Sequence, residues 1–85
     1  MTRRQRAIQA ELRTWDVRLW FGRNPDKIRS FNQQRAVVGM TVQQMAQFIR
    51  LYFEQNRHLI PEIASNRAFQ SVDWVIVAAA IGDQP

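Results

Sequence analysis

Residues 41–58 read TVQQMAQFIRLYFEQNRH, and this stretch decides the fold class. Val42, Met45, Ala46, Ile49, Tyr52, Phe53 and, further on, Ile60 recur at helical spacing on one face, while Gln43, Gln47, Arg50, Glu54 and Arg57 fall on the other. The pattern predicts an amphipathic helix from Thr41 to about His58. Thr41 with Gln44 three residues later makes a capping box, in which each side chain satisfies a backbone N–H at the helix start. Gly39 suits the left-handed position that ends a preceding helix. Val38-Gly39-Met40-Thr41 therefore reads as a tight helix-to-helix connection.

On the N-terminal side, Asn24 as N-cap and Pro25 at the first helical position predict a helix from Pro25 to about Val38. Its apolar residues, Ile28, Phe31, Val37 and Val38, form a weaker pattern. On the C-terminal side, Pro61 breaks the chain after Ile60 and can open a short helix to Phe69, with Glu62 near the positive end of the macrodipole. Ser71 is then the expected cap of a last segment, Val72 to Ile81, in which only Asp73 is charged. Trp74-Val75-Ile76-Val77 favours a strand there. The three alanines 78–80, the cap and the length favour a buried helix, which is the preferred reading.

The first segment admits two readings. As a helix from about Thr2 to Phe21 it places Ile8, Leu12, Trp15 and Leu19 on one stripe, and Ala7, Ala10, Val17 and Phe21 on a second, roughly opposite face. As a strand, Trp15, Val17, Leu19 and Phe21 alternate with Asp16, Arg18 and Trp20, bounded by Gly22 and Asn24-Pro25. The stripe reaches back through Ile8, which favours the helix. The expected fold is all-α, a small bundle of four to five short helices forming one domain over residues 1–85. The alternative is α+β, with strands near 14–21 and 72–78.

Charge divides the chain unevenly. Residues 1–35 hold nine of the twelve cationic side chains against Glu11, Asp16 and Asp26, a balance of +6, whereas residues 36–85 balance at −1 and carry the clearest core pattern. Eleven of the twelve cations are arginine. A guanidinium offers five donors in a planar fork that matches phosphate or carboxylate, so the composition favours recognition of anions. Nucleic acid is the first partner it suggests.

Other classes find little in the residues. Cysteine is absent, which excludes disulfides, thiolate zinc sites and thiol catalysis and is compatible with a reducing, cytoplasmic location. His58 has no second histidine with which to share a metal, and no cofactor site is expected. The seven carboxylates are scattered, and Ser30, Ser65 and Ser71 lack a nucleophile motif, so no catalytic residue is assigned and an enzyme is not expected. The start, MTRRQR, is followed by Gln9, Glu11, Arg13, Asp16 and Arg18, which leave no apolar segment of signal-peptide type. The longest apolar run, Trp74 to Ile81, falls far short of the roughly twenty residues of a membrane span. Thr41 to Ile49 faintly resembles the first helix of a helix-turn-helix, but the helical pattern continues through Phe53 where that motif would turn.

The expected function is therefore non-enzymatic: a small basic helical subunit binding nucleic acid backbone within a larger nucleoprotein, phage or mobile-element assembly. Arg3, Arg4, Arg6, Arg13, Arg18 and Arg23 are the candidate contacts, with Trp20, seven residues beyond Arg13, as an exposed indole on which a base could stack. The alternative is a protein-interaction module, an inhibitor or adaptor, using the Arg/Trp-rich first helix. Ala10, Val17 and Phe21 are the expected interface stripe, left over once Ile8, Leu12, Trp15 and Leu19 pack inward, and would face another subunit or a second copy. Membrane binding is not expected, since Glu11 and Asp16 interrupt the basic helix.

Overall fold

Thr2 and Gln5 do at the start of the chain what Thr41 and Gln44 do in its middle. In the computed structural model, which describes residues 2–84, the Thr2 N–H donates to Gln5 Oε1 (2.8 Å) and the Gln5 N–H donates to Thr2 Oγ1 (3.2 Å). The same reciprocal pair joins Thr41 and Gln44 at 2.9 and 3.2 Å. These boxes open α1 (Arg3–Arg23) and α3 (Val42–Gln55). Between them lies α2 (Pro25–Val38), with proline in its first turn as expected. Asn24 stands at its N-cap but turns the other way: its amide donates to the Trp20 carbonyl (2.7 Å), closing α1 rather than opening α2.

Gly39 ends α2 in the left-handed region (φ 78°), and the N–H groups of Gly39 and Met40 both reach the Arg35 carbonyl, at 2.8 and 3.1 Å. The Arg35 guanidinium then donates to the Met40 carbonyl (3.3 Å). The turn predicted from Val38-Gly39-Met40-Thr41 is formed by these bonds. After α3 a 3₁₀ turn, Arg57–Leu59, carries the chain to Ile60.

The C-terminal third corrects two expectations. The single helix predicted from Pro61 to Phe69 is two pieces, a 3₁₀ turn at Pro61–Ile63 and α4 (Asn66–Ser71). Ser65 separates them because its extended backbone and its hydroxyl, which accepts the Ala68 N–H at 3.2 Å, start a new helix. Ser71, read as the cap of the last segment, instead ends α4 by donating to the Ala68 carbonyl (2.7 Å). Asp73 takes the cap, its Oδ1 accepting from the Ile76 N–H (3.2 Å), and α5 runs Trp74–Gly82. The described residues contain five α-helices and no strand, so the all-α bundle stands and both strand alternatives fall.

The core combines aromatic rings with aliphatic side chains. Phe21, Phe53 and Phe69 are fully buried with Met45, Ile49, Ile63, Val17 and Val77. Phe53 sits at the centre, edge-on to Phe21 (5.7 Å between centroids) and stacked against Trp74 (5.9 Å). Removing one such ring from water stabilises the fold by about 1.5–3 kcal/mol. The helix α5, packed most extensively on α3, is held by polar side chains at both ends. Thr14 Oγ1 on α1 accepts the Asp73 N–H (2.8 Å), and the Asn32 amide on α2 donates to the Ile81 carbonyl (2.8 Å). The first bond satisfies an N–H that the helix start leaves without an internal partner, and the second adds to the Gln84 N–H that the Ile81 carbonyl already accepts at 3.1 Å.

Candidate functional site

α1 positions every residue singled out in the basic part of the sequence, and its orientation decides what each can do. Thr14, Val17 and Phe21 face the core, with Val17 and Phe21 at 0% and 1% exposure. The expected interface stripe is therefore corrected: Val17 and Phe21 are interior, and Ala10 is half-buried beside them. The stripe expected to pack inward, Ile8, Leu12, Trp15 and Leu19, is the one on the surface, at 47%, 47%, 52% and 37% exposure. The physical reason is size. α4 and α5 both lie against α1, and side chains such as Ala10, Thr14 and Val17 let their backbones approach, while Phe21 packs against Phe31 of α2 and Phe53 of α3.

Trp20 is likewise corrected as an open stacking platform. Its indole is half-buried, edge-on to Phe53 (5.0 Å) and Phe21 (5.2 Å), with Tyr52 at 6.4 Å. The exposed indole on this helix is Trp15, with the Arg18 guanidinium over its ring at 5.5 Å.

The arginines divide by direction. Arg6 and Arg13 line an open cleft of about 700 Å³ between the first half of α1 and the segment from Glu62 to Ser71, and Arg67 faces them from α4. Gln9 and Gln70 add amide donors to its walls, and among the described residues Glu62 is the carboxylate on the rim. Arg13 is braced there. Its Nε lies 3.2 Å from Asp16 Oδ2 and its Nη1 donates to the Glu62 carbonyl at 3.4 Å, which ties the two walls together. Helical spacing puts exposed Arg3 on the same side of α1 one turn before Arg6. Arg4 and Arg18 border the apolar ridge, and Arg23 is exposed at the far end of the helix. The six arginines therefore do not form one surface. Three of them, Arg3, Arg6 and Arg13, belong to the cleft side.

Several remaining cations serve the fold. Arg29 pairs with Asp26, and Lys27 lies over the Tyr52 ring. Arg57 covers Phe69 at 4.3 Å while bonding Asn66 Oδ1 (2.6 Å), and Arg50 lies over the same ring at 5.6 Å. Arg67 is the cleft residue that sequence reasoning missed. Only tertiary contact brings it to Arg6, and nothing in its local sequence marks it. Among the described residues, no group of three or more His, Cys, Asp or Glu side chains is placed to hold a metal ion, and no helix is long and apolar enough to cross a membrane. Comparison with protein-family models, with curated proteins and with solved structures finds no match to this chain.

Proposed function

We propose that the protein is a non-enzymatic subunit that holds the phosphate backbone of a nucleic acid in the cleft between α1 and α4. The observation that carries this reading is the convergence of Arg6, Arg13 and Arg67 on one open cleft, where three guanidinium groups meet two carboxylates, Glu62 on the rim and Asp16 paired with Arg13. Arg13 is pre-positioned by Asp16 and by the Glu62 carbonyl, so less side-chain freedom is lost when a phosphate oxygen arrives. Arg3 extends the cationic track toward the start of α1. The cleft offers guanidinium and amide donors rather than an exposed aromatic surface, a chemistry that reads charge and spacing more than base identity. Its place within a larger nucleoprotein, phage or mobile-element assembly is part of the same proposal, and the small size and net charge of +5 suit it.

The test is a titration against single-stranded and duplex nucleic acid of mixed sequence at several salt concentrations. With four phosphate contacts, affinity falls about a hundredfold between 50 and 200 mM salt. Replacing Arg6 and Arg13 together by Ala weakens binding evenly across sequences and flattens the salt slope by about two units. A thermal melt of the double variant checks that losing the Arg13–Asp16 pair has not unfolded the bundle. No binding at low salt, or a slope indifferent to the two substitutions, overturns the reading.

A second reading, a protein-interaction module acting through the Arg/Trp-rich first helix, is favoured by one observation. Ile8, Leu12, Trp15 and Leu19 stand exposed in a continuous row, a kind of surface uncommon in soluble monomers.

A further inference from the structure

The row on the outer face of α1 has a more specific order than exposed apolar surface requires. Its spacing, Ile8 to Leu12 to Trp15 to Leu19, alternates four, three and four, which is the d-a-d-a order of a coiled-coil seam two heptads long. Ala10 and Val17 fall at the f positions of that register, on the side of the helix away from the seam. Thr14 and Phe21 fall at c, also away from the seam, and with Val17 they are the buried residues that α1 turns toward its own core, so a partner on the seam would meet a different face of the helix. The bordering positions are charged. Arg4, Glu11 and Arg18 run along one edge (g), and Gln9, Asp16 and Arg23 along the other (e).

We infer that this seam is the interface of a homodimer in which two α1 helices pack antiparallel across a two-fold axis passing between Leu12 and Trp15. The charge order selects both the occupant and its direction. In a parallel pair each g position meets the e position of the following heptad on the other helix, setting Glu11 against Asp16 and Arg18 against Arg23. Like charges would oppose each other on both sides of the seam. In the antiparallel pair g meets g, so Glu11 of each copy faces Arg18 of the other, and the symmetry repeats this attraction twice.

The apolar layers agree with the same axis. Leu12 faces the second copy's Trp15, and Ile8 faces its Leu19, so every seam residue finds an apolar partner without a register shift. Arg18 is already held at the seam edge by its contact over Trp15. α1 is also folded before it associates, fastened by Thr14 and the core, so the helix need not be ordered on dimerisation. Polar Gln5 and Gly22 stand at the next positions of the repeat and end the seam at both sides. The inference does not depend on nucleic acid binding, and its test contains none.

Sedimentation velocity of the purified chain from about 5 to 500 µM should show a concentration-dependent monomer–dimer equilibrium. Leu12→Glu should weaken association at least about tenfold, each 1.4 kcal/mol being tenfold. The helical circular dichroism should be unchanged, because Leu12 is exposed in the monomer. At low salt, Glu11→Arg and Arg18→Glu should each weaken the dimer, and the two together should restore it. Direction is read by cross-linking, for which the absence of cysteine is an advantage. Ile8→Cys mixed with Leu19→Cys should be joined by a short bis-maleimide, while neither variant should join to itself. A chain that stays monomeric at the highest concentration overturns the inference and leaves the seam to a different protein. A dimer indifferent to Leu12→Glu, or Ile8→Cys joining to Ile8→Cys, overturns it as well.

Discussion

α3 and α1 both carry apolar residues at helical spacing, yet only one could be oriented by reading it. α3 has a single stripe, and Met45, Ala46, Ile49 and Phe53 lie on it and are all buried. α1 has two. The stripe with the larger total apolar surface, Ile8, Leu12, Trp15 and Leu19, faces out, and the one containing Ala10, Val17 and Phe21 faces in. Periodicity identifies a face that avoids water but does not rank two such faces. The ranking came from neighbours. α4 and α5 both press against α1, and close approach of helices selects small side chains over large ones.

The sharpest way to break this comparison is to truncate one residue from each face of α1. Phe21→Ala should cost about 3–5 kcal/mol, because it opens a cavity beside Phe53 and Phe31 that the packed rings cannot fill. Leu12→Ala should stay within about 0.5 kcal/mol in the same urea titration, run at a concentration low enough to keep the chain monomeric. Equal losses at the two positions would mean that the outer face is packed after all.

A smaller effect sharpens the account of how α1 is joined to the bundle. Thr14→Val keeps the shape of the side chain but removes the oxygen that accepts the Asp73 N–H. A loss of about 1–3 kcal/mol is expected, since the N–H of a half-covered helix start loses its partner. Denaturant unfolding measures it, and hydrogen exchange at Asp73 should quicken by more than at Phe53. Thr14→Ser, which keeps the hydroxyl, is the control.

The smallest expected effects compare the two capping boxes. Thr41→Ala should cost about 1 kcal/mol, and Thr2→Ala about half of that or less, although the two motifs have the same hydrogen bonds. The difference follows from position. Thr41 anchors a helix in mid-chain whose fraying would expose Met45, whereas the first turn of α1 is exposed and buries little. Matched losses in thermal melts of the two variants would show the first turn to be as firmly held as α3.

Local chemistry was legible in the residues themselves. The Thr41–Gln44 box, the Pro25 start, the Gly39 stop and the amphipathic stripe of α3 each act within a few residues and are present in the structure, although α3 stops at Gln55, short of the expected His58, and Ile60 lies beyond it. The all-helical class followed from them. Where two local signals competed, the nearer hydrogen bond won: Ser65 and Asp73 restart helices that Pro61 and Ser71 were expected to govern, because their side chains reach the first free N–H groups. The tertiary structure alone decided which face of α1 is interior, that Trp20 lies against Phe53 rather than beside an open arginine track, and that Arg67 joins Arg6 and Arg13 across one cleft. Those outcomes depend on distances between residues far apart in the chain. Pairings of that kind are set by how side-chain volumes fill a shared core, which no single segment encodes.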